Sequence, residues 1–200
     1  MLKAKYFTRR GRAKYDAGRH RAAISDYDKA LRIDAEDAEA YSNRGLAKTA
    51  LNKHESALTD FDKAIRFGPD FAELYNNRAN AKVKLGQYES AIEDYNEGIR
   101  LSPDMPALYI NRGMANLLNG DGEAALADLD EAARLQPENV DIYVKRGGTA
   151  YNMGLTEKAR ENFQTALDIA KAVRNARLEA QMEEWLERVN TAEDELATAE

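Results

Sequence analysis

The sequence has no cysteine. Disulfides and thiolate chemistry are thereby excluded, and thiolate-ligated zinc sites with them. Histidine is scarce too, with only His20 and His54. There is no Cys–His pair, no phosphate-cradling glycine loop and no metal-ligand spacing, so the residues point to a non-enzyme without cofactor or metal. Four prolines in 200 residues leave room for long helices. No run approaches the ~18 apolar residues that a membrane span needs. The basic opening MLKAKYFTRRGRAKY is not followed by the apolar segment of a secretory signal. A cytoplasmic location is therefore expected. A net charge of −6 argues against general nucleic-acid binding. That charge is uneven. Residues 1–21 hold eight Lys or Arg and one Asp, whereas 174–200 hold three Arg and eight Asp or Glu.

What the chain does contain is helix-forming residues in a repeating order. Apolar residues make up 44% and charged residues 32%, which suits a helical protein with a thin, extended core rather than a disordered chain. YSNRG at Tyr41, YNNRA at Tyr75 and YINRG at Tyr109 recur at a 34-residue step. Extended both ways, the step divides the chain into 4–37, 38–71, 72–105, 106–139 and 140–173. Within each unit, offset 8 is Gly11, Gly45, Ala79, Gly113 and Gly147, and offset 20 is Ala23, Ala57, Ala91, Ala125 and Ala159. Offset 27 is also always Gly or Ala. Rings or large aliphatics stand at offset 4 (Phe7, Tyr41, Tyr75, Tyr109, Tyr143) and offset 24 (Tyr27, Phe61, Tyr95, Leu129, Phe163). Small residues facing large ones predict two closely packed helices per unit. Gly18, Asn52, Gly86, Gly120 and Gly154 mark the turn between them. Pro69, Pro103 and Pro137 end the second helix.

This pattern resembles the tetratricopeptide repeat family, over residues 4–173. The resemblance implies an all-α fold, a right-handed superhelical solenoid of antiparallel helix pairs. First helices would line a concave groove and second helices form its back. Leu178, Met182, Trp185, Leu186 and Val189 then form one apolar stripe, expected as a capping helix at about 174–190. A single array over 4–190 is expected, and residues 191–200 read as a frayed acidic tail.

The family usually has an apolar residue at offset 7 and tyrosines at 11 and 23. Here offset 7 is Arg10, Arg44, Arg78, Arg112 and Arg146, and offset 23 is Asp26, Asp60, Asp94, Asp128 and Asn162. Lys14, Lys48 and Lys82 occupy offset 11 in the first three units. The arrangement predicts Arg–Asp pairs between the helices of each unit, because a guanidinium can hold a carboxylate with two hydrogen bonds. Arg146, facing only Asn162, is expected to be the one left free. The rival reading is a ladder of cations that grasps an acidic ligand.

Offset 6 carries Asn43, Asn77 and Asn111, flanked by Arg9 and Lys145, on the groove side. An amide offers a donor and an acceptor, so it can pair with a peptide backbone of any sequence. Family repeats with a similar asparagine ladder use it in that way. The alternative is that these amides only bond the neighbouring repeat. A chaperone-tail carboxylate clamp is not expected, because acids stand where its lysines should be. Ile110, Met114 and Leu118 fall at i, i+4 and i+8, an apolar stripe of the kind that marks recognition. The expected function is a protein–protein interaction module that binds an extended peptide or a partner helix in its groove. Apolar anchors would dock on repeats four and five, and Lys5, Arg9 and Arg12 would take acidic residues at the other end. Two alternatives stay open: a scaffold that assembles head to tail through its oppositely charged ends, and the regulatory part of a longer enzyme.

Overall fold

The computed structural model describes residues 2–199, with side chains described as far as Thr191. The described residues form eleven helices and no strand. They group into two compact units, Met1–Pro103 and Asp104–Glu200. The first holds α1 (Leu2–Asp16), α2 (His20–Ile33), α3 (Ala38–Thr49), α4 (His54–Phe67), α5 (Ala72–Lys84) and α6 (Tyr88–Leu101). The second holds α7 (Pro106–Leu118), α8 (Gly122–Leu135), α9 (Val140–Asn152), α10 (Thr156–Ala172) and α11 (Ala176–Ala199).

Each helix pair closes in the same way. Gly18, Asn52, Gly86, Gly120 and Gly154 all have positive φ, from 58° to 89°. The residue after each one returns its N–H to a carbonyl five residues back, as in Arg19 to Lys14 at 2.8 Å and Leu155 to Ala150 at 2.9 Å. That bond satisfies a carbonyl the helix end would leave open. The sequence left open where the fifth repeat stops. Arg174 stops it: its φ is 55°, and Asn175 donates to the Ala170 carbonyl at 2.9 Å. From there α11 runs from Ala176 to Ala199. The side chains of 192–200 lie outside the described residues. On α11, Met182 and Val189 are fully buried in a cluster with Phe163 and Leu167, and the Trp185 ring stacks on Phe163 at 5.2 Å. This is the expected capping contact.

The small positions sit where rings press on them. A Cβ added at Gly11 would lie 2.5 Å from the Tyr27 ring, at Gly45 2.6 Å from Phe61, and at Gly147 2.7 Å from Phe163. Ala23, Ala57, Ala91, Ala125 and Ala159 have no exposed surface. The rings and small residues interlock, so any added atom must displace a ring.

Beside this interlock lies the charged ladder. Asp26, Asp60 and Asp94 are buried, with side chains 1%, 1% and 6% exposed. Each receives a forked pair of bonds. Arg44 Nη2 and Nε reach the two oxygens of Asp60 at 2.6 and 2.9 Å, and Arg78 reaches Asp94 at 2.7 and 2.9 Å. Lys14, Lys48 and Lys82 add ion pairs at 2.6, 2.7 and 2.8 Å. In the fourth repeat the Asn116 amide takes the lysine's place, donating to Asp128 at 3.0 Å. The aromatic three residues before each of the first four arginines lies under its guanidinium, 5.1 to 5.9 Å away.

A second set of partners appears that the repeat pattern had not suggested. Arg44 Nη1 also donates to Asp28 at 2.6 Å, and Arg78 Nη1 to Asp62 at 2.8 Å. These acids stand on the second helix of the preceding repeat. Arg146 follows the same rule and corrects the expectation that it is free: it forms an ion pair with Asp130 at 2.5 Å. Asn162, the partner first considered, donates instead to the Lys158 carbonyl within its own helix at 2.6 Å. The arginines thus join two helices within a repeat and, where the acid is present, join that repeat to the one before.

Four outcomes follow. Tyr27 buries its hydroxyl without a partner, and burial pushes its pKa up to about 12. Phe61 and Phe163 fill the same position without that cost. Tyr27→Phe should therefore raise stability by about 1 kcal/mol in chemical denaturation. Asp94→Ala strips the carboxylate from two partly buried cations and should cost about 2–3 kcal/mol. In a double-mutant cycle, Arg78 and Asp94 should couple by ~1–2 kcal/mol, and zero coupling would refute the structural role. The hydrogen bond from Arg10, with help from Lys14, holds the Asp26 carboxyl at about 2 against an ordinary 3.8. A folded-state pKa below the unfolded one gives stability that is complete above 3.8 and lost as pH falls towards 2. Between about pH 5 and about pH 2, the melting temperature of Asp26→Asn should fall less than that of the wild type.

Candidate functional site

The first helices turn one stripe to the ladder and present the next stripe away from it. In the first unit, α1, α3 and α5 bound a hollow of about 320 Å³. Arg12, Glu39, Asn43, Phe71 and Glu73 line it. The wall is held by Thr8, which is buried and donates to Asp37 Oδ2 at 3.1 Å, while Asp37 Oδ1 caps α3 through the Ala40 N–H at 3.0 Å. Thr8 and Ser42 are only 2% and 9% exposed, and Ser42 lines the floor of the hollow.

Asn43 is 6% exposed, and its Nδ2 is buried with no hydrogen-bond partner. Asn77 is half-buried on α5. Arg9 and Arg12, grouped by sequence as one basic patch, part company. Arg12 lines the hollow and pairs with Asp16 at 3.4 Å. Arg9 belongs to a different depression, with Leu2, Lys5, Tyr6 and Arg10. Glu39 and Glu73 are exposed beside Asn43, so the rim of the hollow carries two acids, while Lys5, Arg9 and Arg10 line the other depression.

In the second unit, Ile110, Met114 and Leu118 form the expected stripe on α7. Ile110 and Met114 are half-buried and Leu118 is 52% exposed. Asn111 is half-buried beside them. Lys145, on α9, is held by Asp141 one turn away at 2.5 Å. The Tyr151 ring packs edge-on against Trp185 at 5.7 Å. His20 and His54 sit half-buried at matching turns, and each buries its Nδ1 without a partner. No group of three or more metal-holding side chains occurs among the described residues. No helix among them is long and apolar enough to cross a membrane.

Comparison with known proteins accords with this architecture. No curated protein matches the chain. Among solved structures, MamA from Desulfovibrio magneticus RS-1 superposes with a TM-score of 0.79 at 20% identity, covering 85% of this chain and 96% of that one. YrrB, described as a TPR protein with an unusual peptide-binding site, gives 0.71 at 23% identity, covering 89% and 90%. PilF from Pseudomonas aeruginosa gives 0.76 at 18% identity, covering 94% and 92%. The TPR repeat pattern matches residues 11–51, 45–86 and 79–120, and the tetratricopeptide repeat pattern matches 119–174. With 11–174 covered, well over half of its length, the chain belongs to the tetratricopeptide repeat family.

Proposed function

We propose that this chain is a non-enzymatic interaction module that binds extended peptide or a partner helix on the exposed stripe of its first helices. The tetratricopeptide fold is a protein–protein interaction module. The observation that carries the finer reading is the α7 stripe, where Ile110 and Met114 continue into a Leu118 left 52% exposed. Aliphatic and thioether groups in that arrangement adapt to an apolar partner and release water when covered. Asn111 stands beside them, half-buried on the same helix.

The test uses peptides selected by the full chain from a random displayed library. For peptides that dock on α7, Met114→Glu should weaken binding about tenfold or more, because it places a charge in the desolvated patch. The melting curve should stay close to that of the wild type, since Met114 is only half-buried. If every recovered peptide tolerates Met114→Glu and also tolerates Asn43→Ala, recognition lies on the second helices and this reading falls.

Head-to-tail self-association has its own supporting observation. Arg44 and Arg78 each take a second carboxylate from the preceding repeat, whereas among the described residues Arg10 has the Tyr6 hydroxyl, at 3.4 Å, in that role. Leu2 and Tyr6 beside it are 89% and 56% exposed. A second copy that presents the exposed Glu183 and Glu187 of α11 would supply the missing acid. Light scattering should then show assemblies at low ionic strength that dissolve at about 0.5 M salt. A monomer at all salt concentrations removes this reading.

A further inference from the structure

The hollow on the first unit combines three features that no ladder contact uses. Asn43 lies in it with a buried, unpartnered Nδ2. Nearly all buried amide donors are paired, so one that is not marks a place where an acceptor is missing. A turn about the side-chain amide torsion would bring that N–H to the open side. Ala38 and Leu74 give an apolar lining, and Phe71 leaves its ring 60% exposed at the edge. An exposed ring beside a cavity is an uncovered contact surface. Glu39 and Glu73 are exposed on the same rim, and neither forms an ion pair among the described residues. The only cation in the lining, Arg12, is already opposed by Asp16.

We propose that this hollow selects an extended peptide by three contacts: a large apolar side chain against Phe71 and Leu74, a backbone carbonyl on Asn43, and a lysine or arginine within two residues held by Glu39 and Glu73. The proposal rests on the peptide-binding reading above and adds the ligand's chemistry. The acceptor requirement comes from Asn43, whose donor end lacks a partner. The cation requirement comes from the two glutamates, whose carboxylates lie close to an apolar surface and would be strengthened by the desolvation that binding brings. An acidic peptide is repelled by the same pair. An apolar peptide without a base fills the hollow but leaves the rim charges unmatched.

The experiment selects random peptides of about twelve residues on the immobilised full chain and measures each by fluorescence anisotropy. Peptides whose binding Asn43→Ala weakens about tenfold should carry a large apolar residue with Lys or Arg within two positions. The surface double variant Glu39→Gln/Glu73→Gln should weaken the same peptides about tenfold. Replacing the peptide's base by alanine should cost affinity on the wild type but almost none on that double variant. Raised salt should weaken the wild-type complex more than the double variant's. The proposal is overturned if the Asn43-dependent peptides lack a base or are acidic, or if they ignore the glutamine pair. It is equally overturned if no peptide depends on Asn43. Peptides that respond to Met114→Glu alone would remove this site while leaving the interaction-module reading in place. Should Asn43→Ala fail to fold, the two exposed glutamates still decide the matter.

Discussion

A carboxylate with 1% of its surface exposed has to be matched by cations, and in this protein that requirement recurs from repeat to repeat. Asp60 is buried between α3 and α4, where it takes a forked bond from Arg44 and an ion pair from Lys48. An isolated charge there would be very costly, and removing either partner would expose that cost. The guanidinium meets it by geometry. Its Nε and Nη2 hold one carboxylate, its Nη1 holds Asp28, and its plane rests near the Tyr41 ring. One side chain thereby ties together two helices of its own repeat and the helix before them. Lysine could supply the charge but not the planar fork.

The neighbouring interlock of small residues and rings makes this possible. Phe61 lies so close to Gly45 that the two helices approach within reach of the fork. Where the ring is replaced by Leu129, a Cβ added at Gly113 would instead lie 3.1 Å from the Ala125 carbonyl oxygen and 3.2 Å from the Asp128 Cβ, so the second helix still sits close. Packing brings the charges together, and the charges fix the register.

Function is then left to what the ladder does not occupy. Asn43 is next to Arg44 in sequence, but about 100° round the helix, so it points to a different neighbour. That single step separates a side chain bonded at all three of its nitrogens from one with no partner at Nδ2. The same offset leads α7 to show Ile110, Met114 and Leu118 beside Asn111. Fold and site are therefore interleaved on the same short helices.

Periodicity alone determined the repeat length, the turn residues and the pairing of Arg10, Arg44, Arg78 and Arg112 with acids sixteen residues on. Each depends on neighbours a fixed distance along the chain, and in a regular repeat that distance fixes the meeting point. The apolar stripe of α11 was legible for the same reason. The tertiary structure decided the rest. Asp28, Asp62 and Asp130 stand sixteen residues before an arginine, a spacing open to reading, but only packing between successive repeats shows that a surface acid reaches back. Thr8 and Ser42 sit at positions that look exposed on one helix, and the fold leaves them only 2% and 9% exposed. Arg9 and Arg12 share a helix but face different hollows. The acidic rim beside Asn43 is assembled from α3 and α5, thirty-four residues apart in Glu39 and Glu73. A sequence specifies contacts within a helix pair through its period. Burial and field at a surface depend on how neighbouring pairs stack, and that is settled only in three dimensions.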